Sequence, residues 1–240
     1  MKGQKTVLVT GASGGIGVAI VQAFLDRGYD VVATSRHVKN AGFAQSPHLA
    51  LVDGDISMAA TAASVTQTAM ATFGSIDHVV NNAGVFWGKP FTEYTIEEFR
   101  EFVATNLEGF IFITQLAVKQ MLAQCTGGSV TTITASLADS PIAGHPASIP
   151  MITKGGLNAA SLSLAMEYAK DHIRFNAVAP GVVETPLHKD ASKGSLETRS
   201  PMGTVSGPND IAEAVVYLAE ASHVTGELLH VDGGAHVGRW

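Results

Sequence analysis

Short runs of apolar, β-branched residues alternate along this chain with stretches whose apolar positions recur at helical spacing. Lys5–Thr10 (KTVLVT) predicts a buried strand, and Gly15–Arg27 a helix with Ile16, Ile20, Ala23 and Phe24 near one face. Asp30–Ser35 and His48–Val52 read as the second and third strands. An Ala-rich helix, Ser57–Phe73, leads to a fourth strand at Ile76–Asn81. A long helix is predicted over Thr95–Leu122, a fifth strand over Gly128–Ala135, and a further helix ending near Lys170. A sixth strand at Ile173–Ala179, a helix at Asn209–Glu220 and a last strand at Glu227–Val231 complete the pattern. Continuous apolar strands spaced by helices imply a parallel sheet covered on both faces. The expectation is one α/β domain over residues 1–240, with a doubly wound parallel sheet of about seven strands flanked by helices. The Gly-, Ser- and Pro-containing stretch 182–208 reads as a mobile substrate loop.

Composition narrows the classes. Of 240 residues, 46% are hydrophobic and 15% charged, which excludes a disordered chain and suits a large core. The formal charge of -6, without clustered Lys and Arg, gives no support to a nucleic-acid partner. The single cysteine, Cys125, allows no internal disulfide, and the histidines form no compact metal pattern, so no catalytic metal is expected. No apolar run reaches the roughly 18 residues of a membrane span. The N-terminus, MKGQKTVLVTG, enters a strand without the apolar core of a signal peptide, and a cytoplasmic protein is expected.

The first chemical motif is Thr10-Gly11-Ala12-Ser13-Gly14-Gly15-Ile16-Gly17, between the first strand and the first helix. Glycines there permit a tight turn and close backbone approach, and a helix N-terminus attracts a phosphate. Asn81-Asn82-Ala83-Gly84 follows the fourth strand, Asn106 lies on the long helix, and Pro180-Gly181 ends the sixth strand, with Val183 and Thr185 after it. Val224-Thr225-Gly226 and Asp232-Gly233-Gly234 stand near the C-terminal end.

Together these residues resemble the short-chain dehydrogenase/reductase family over nearly the whole chain. The resemblance implies a Rossmann fold and a nicotinamide cofactor held by Gly11, Ser13, Gly15, Ile16, Gly17, Asn82, Ala83, Gly84, Pro180, Gly181, Val183 and Thr185. Asp55 matches the family position that contacts the adenine amino group, with Asp53 as competitor. An acidic residue ending the second strand would repel a 2′-phosphate. Ser35 stands at that place and Arg36 follows, so a guanidinium is available to pair with the phosphate. A charged hydrogen bond of about 1.5–3 kcal/mol sets a preference of roughly tenfold or more, and NADP(H) is expected over NAD(H).

In the family a Tyr–x–x–x–Lys pair lies on one helix face, with a Ser and an Asn completing the catalytic set. The resemblance assigns Lys154 to the ribose and Asn106 to support of that lysine. Four residues before Lys154 stands Pro150, which has no ionisable proton. Proline begins a helix without distortion, because the first turn needs no N–H from it. Ser136 takes the place of the catalytic Ser if Leu137–Ile149 carries one residue more than the family spacing; Ser140 is a second candidate. Alternative proton donors are His145, in the loop before this helix, His188 in the loop region, Tyr94, or a water held by Ser136 or Lys154.

Two functions follow. The first is NADP(H)-dependent hydride transfer between nicotinamide and a small carbonyl or alcohol substrate, from an active site that lacks the usual Tyr. The second is a catalytically weak or inactive NADP(H)-binding sensor, regulator or partner subunit. The family habit implies a homo-oligomer, dimer or tetramer.

Overall fold

Seven apolar segments build the centre of the molecule. In the computed structural model, which describes residues 4–185 and 200–238, they are β1 (Thr6–Thr10), β2 (Asp30–Ser35), β3 (Leu49–Asp53), β4 (His78–Asn81), β5 (Gly128–Ile133), β6 (Ile173–Pro180) and β7 (Leu228–Val231). They form one sheet of order β3-β2-β1-β4-β5-β6-β7, with every pairing parallel. Val7, Leu8, Val31, Val32, Val79 and Val80 are buried, as strands covered on both faces require.

Helices supply the covers. On one face α1 (Gly15–Asp26) packs with α6 (Pro208–Glu220), burying Ile20, Phe24, Ile211 and Val215. On the other lie α2 (Ala59–Thr72), α4 (Gly109–Gln124) and α5 (Ser148–Glu167), burying Val65, Ile113, Val118 and Ala165. Arg174 closes the open end of α6, donating to the carbonyls of Leu218 (2.7 Å) and Ala219 (2.6 Å) that the helix leaves unsatisfied.

The long helix of the sequence reading is not uniform. α3 (Ile96–Phe102) starts on a capping box between Thr95 and Glu98, and a π-helical turn at Val103–Glu108 separates it from α4. The wider turn carries Asn106, which is buried. Such turns recur at functional sites, because the extra residue re-aims a side chain.

The strand order reverses direction between β1 and β4. Both adjacent loops leave from the C-terminal edge of the sheet there, which opens a crevice between them. The stretch 186–199, including His188 and most of the expected substrate loop, lies outside the described residues.

One buried histidine ties stability to acidity. His78 on β4 shares a 2.7 Å hydrogen bond with the Ser129 hydroxyl and packs between Phe24 and Tyr29. Burial, with help from the Lys5 and Arg174 charges, pushes its pKa down to about 3. The folded protein keeps it neutral while the unfolded chain takes up a proton below about 6.5, so stability falls as pH drops through that window. Denaturant unfolding at pH 7 and pH 4 is predicted to show wild type losing about 3 kcal/mol more than His78→Phe.

Candidate active site

The crevice rests on a knot of hydrogen bonds between the ends of β1 and β4. The Thr10 hydroxyl donates to the Val80 carbonyl and accepts from the backbone N–H groups of Asn82 (3.1 Å) and Ala83 (3.0 Å). The Asn82 side-chain amide donates to the carbonyls of Thr10 and Gly11, both at 3.0 Å. Gly11 has φ of +66°, and a Cβ there would stand 2.7 Å from the Ala83 Cα. A Cβ on Gly17 would strike the Gly11 carbonyl oxygen. These two glycines are therefore dictated by packing and backbone conformation.

α1 begins from this knot with Gly14 at its N-cap. No side chain caps it, and its first turn carries no acidic residue. Its first N–H groups and positive dipole end face the crevice side of the turn, a suitable seat for a phosphate. At the end of β2 the Ser35 hydroxyl is buried without a hydrogen-bond partner. Arg36 is exposed and makes no ion pair with a described residue. Asp53 is engaged by Lys39, through the backbone N–H at 3.1 Å and the ammonium at 4.0 Å. Asp55 holds the next turn, accepting from the backbone N–H (2.9 Å) and hydroxyl (2.7 Å) of Ser57 through one oxygen. Those bonds, with a smaller contribution from Arg36, lower its pKa and keep it ionised.

The crevice continues into a cleft of about 670 Å³. Its walls include Ile16, Asn82, Gly84, Ser136, His145 and Lys154. Pro180, Gly181, Val183 and Thr185 reach it from the end of β6. Lys154 is buried, and its ammonium donates to the Ile133 carbonyl at 2.8 Å. Burial lowers its pKa to about 8. Gly84 is the reason the lysine fits: a Cβ there would lie 3.2 Å from Lys154 Nζ and 3.2 Å from Asn106 Oδ1.

Asn106 braces the surrounding backbone. Its side-chain oxygen accepts from the Val85 N–H (2.8 Å), and its amide donates to the Val85 carbonyl (3.2 Å) and the Thr153 hydroxyl (3.0 Å). Thr153 passes the link on, donating to the Pro150 carbonyl at 2.8 Å. Pro150 is buried in the first turn of α5, where its missing N–H leaves no helical bond unmade. Ser136, in a short turn after β5, is buried on the cleft wall, and its hydroxyl makes no hydrogen bond to a described residue. Ser140 lies aside, with its hydroxyl on the His236 carbonyl at 3.4 Å. His145 lines the cleft, with Nδ1 3.3 Å from the Ala143 carbonyl. Tyr94 stands behind the wall, donating to the Trp87 carbonyl at 2.9 Å.

Comparison with known proteins adds the lineage. A family profile described as Enoyl-(Acyl carrier protein) reductase matches residues 11–236. The chain belongs to the short-chain dehydrogenase/reductase family. A tropinone reductase homolog of Arabidopsis thaliana is 37% identical over 248 residues, covering 95% of this chain and 92% of the relative. The NADP-dependent (R)-specific alcohol dehydrogenase of Lentilactobacillus kefiri is 35% identical over 248 residues, covering 96% of each. Among solved structures, ElxO with NADP bound superimposes with a TM-score of 0.90 at 26% identity, over 98% of this chain and 100% of that one. The chain is thus an oxidoreductase-family protein with a nucleotide-binding Rossmann fold.

Within that family frame the structure brings Gly84, Ser136, His145, Lys154, Gly181 and Thr185 to one cleft. It places Arg36 and Asp55 apart from that lining, at the ends of β2 and β3. Asn82 reaches the cleft wall while its side chain serves the backbone. Sequence reasoning missed Trp87 and the bracing role of Thr153, which no local motif marks.

The buried lysine gives a test of the local electrostatics. With a folded pKa near 8 against 10.5 for the ordinary group, the unfolded chain binds the extra proton between those values, so stability rises with pH there. In cofactor-free protein, wild type is predicted to gain up to about 3 kcal/mol over Lys154→Met between pH 8 and 10.5 by denaturant unfolding.

Proposed function

We propose that this chain is an NADP(H)-dependent oxidoreductase that moves a hydride between nicotinamide and a carbonyl or alcohol substrate. The observation that carries the reading is the continuity of the site. The uncapped N-terminus of α1, whose Ile16 lines the cleft, leads to Ser136 and the buried Lys154. When bound, the nicotinamide supplies or accepts the hydride. The turn Gly11–Gly17 receives the diphosphate, and the Asp55 oxygen left free by Ser57 receives the adenine amino group. Arg36, with the unpartnered Ser35 hydroxyl beside it, pairs with the 2′-phosphate. Lys154 holds the ribose hydroxyls, and Asn106 holds the loop and helix that position it.

The Ser136 hydroxyl orients the substrate oxygen. Pro150 leaves the usual proton donor absent, and His145 on the cleft wall takes that role. A second reading rests on Pro150 itself: a weak or inactive NADP(H)-binding sensor, regulator or partner subunit. Exposed Ile111, Ile152, Leu162 and Met166 on α4 and α5 support assembly into a homo-oligomer in either case.

NADPH oxidation against a panel of ketones and aldehydes tests the function. Wild type is expected to turn over at least one of them. His145→Phe is expected to lower that rate by about 10²-fold or more while NADPH still binds. Bound NADPH with no turnover on any carbonyl would favour the second reading. Arg36→Ala is expected to reduce the ratio of NADH to NADPH dissociation constants about tenfold, measured by calorimetric titration.

A further inference from the structure

The cleft wall opposite Lys154 is apolar and fixed. Val85, Phe86, Trp87, Leu137, Ile142 and Val182 form it. Trp87 packs its ring on Phe102 with centroids 4.1 Å apart. Its carbonyl is held by the Tyr94 hydroxyl, which also accepts from the Lys89 N–H at 3.2 Å. Gly88 lies so close to the next loop that a Cβ there would stand 2.6 Å from the Pro146 carbonyl oxygen. The two lips of the cleft therefore approach closely at Gly88 and Pro146, and the indole is backed by Phe102.

Charged and polar side chains near the lips already have partners. Lys89 pairs with Glu98 at 2.6 Å, and Asp139 meets His230 at 3.0 Å. Among the described lining residues, the one Lys or Arg is Lys154, which the proposed reading commits to the ribose. Among the described residues, a substrate carboxylate or phosphate at this wall would find no further Lys or Arg, which is costly in an apolar site. Hydroxyl-rich substrates fare little better. Thr134 already donates to the Val178 carbonyl at 3.3 Å, which leaves the Ser136 and Thr185 hydroxyls and the His145 ring as the polar side chains of the described lining open to substrate oxygens. A sugar would bury several hydroxyls without partners.

We infer that the substrate is an uncharged, predominantly apolar ketone or alcohol with one oxygen anchored at Ser136, and that Trp87 is the residue that selects it. This rests on the oxidoreductase reading of the same cleft. The apolar body of such a molecule lies along the Trp87 indole, which gains by excluding water from both surfaces. The aromatic wall and the few polar groups of the described lining together disfavour a hexose and an α-keto acid of similar size.

Equilibrium dialysis of NADP⁺-saturated protein reads ketone binding without reaction, because NADP⁺ cannot reduce a ketone, and any oxidation of glucose is read separately as the appearance of NADPH. The probes are benzylacetone, phenylpyruvate and glucose, with wild type, Trp87→Ala and Trp87→Phe. Benzylacetone is expected to bind wild type at least about tenfold more tightly than either other probe. Trp87→Ala is expected to weaken it about tenfold, Trp87→Phe to stay within a few-fold, and NADP⁺ affinity to hold in both variants. Tighter binding of phenylpyruvate or glucose, no binding of benzylacetone, or unchanged benzylacetone binding in Trp87→Ala overturns the inference. Benzylacetone that binds but is never reduced with NADPH upholds the substrate class and removes the oxidoreductase reading. Reduction of glucose with benzylacetone unbound does the reverse.

Discussion

The joint between β1 and β4 governs the rest of the site. Two parallel strands whose connections leave in opposite directions open a crevice at their C-terminal ends. The Thr10 hydroxyl and the Asn82 amide close the base of that crevice with hydrogen bonds to backbone on both sides. Gly11 and Gly17 are needed because the two loops approach too closely for a Cβ. The joint fixes where α1 starts, and so where its uncapped N-terminus points. It also fixes Ala83 and Gly84, and Gly84 leaves the space that Lys154 and Asn106 occupy. The cofactor seat and the buried lysine are thus two ends of one hydrogen-bonded frame.

The frame has a cost and a tolerance. The cost is the lysine, whose burial lowers its proton affinity and opposes the folded state until something in the cleft engages it. The tolerance is at Pro150, where the first turn of α5 accepts a residue without an N–H and Thr153 still bonds its carbonyl. On the proposed reading, selection on the cofactor half and selection on the proton-transfer half are therefore physically separable. Asn106 and Thr153 hold α5 against the Val85 loop whether the preceding residue carries a phenol or a pyrrolidine ring.

Much of this was legible in the sequence. Doubly covered strands announce themselves as unbroken apolar runs, so KTVLVT and DVVATS were readable as β1 and β2, and the alternation with helices implied the parallel order. The π-helical turn was not legible, because its apolar spacing differs from an α-helix by one residue and its Asn106 meets the Val85 backbone, which is distant in sequence. The Asn-Asn-Ala-Gly run marked a loop that lines the cleft, yet its first side chain donates to Thr114 and its second serves the Thr10 and Gly11 carbonyls, contacts set by tertiary packing. Asp53 and Asp55 looked alike in sequence. Their partners differ: Lys39 meets both oxygens of Asp53, whereas Ser57 takes one oxygen of Asp55. Trp87 sits in a loop with no periodicity to flag it, and its orientation comes from Phe102 and Tyr94.

On the proposed reading, cofactor binding is intact while proton transfer is altered at one position, Pro150. The most direct measurement compares wild type with Pro150→Tyr in two readouts taken together: the NADPH dissociation constant and the rate of NADPH oxidation with an apolar ketone. The account predicts that NADPH affinity changes little and that the rate rises by about 10²-fold or more as a phenol enters the cleft beside Lys154. An unchanged rate with the phenol in place, or NADPH binding that is absent in wild type and appears only with the tyrosine, would contradict it.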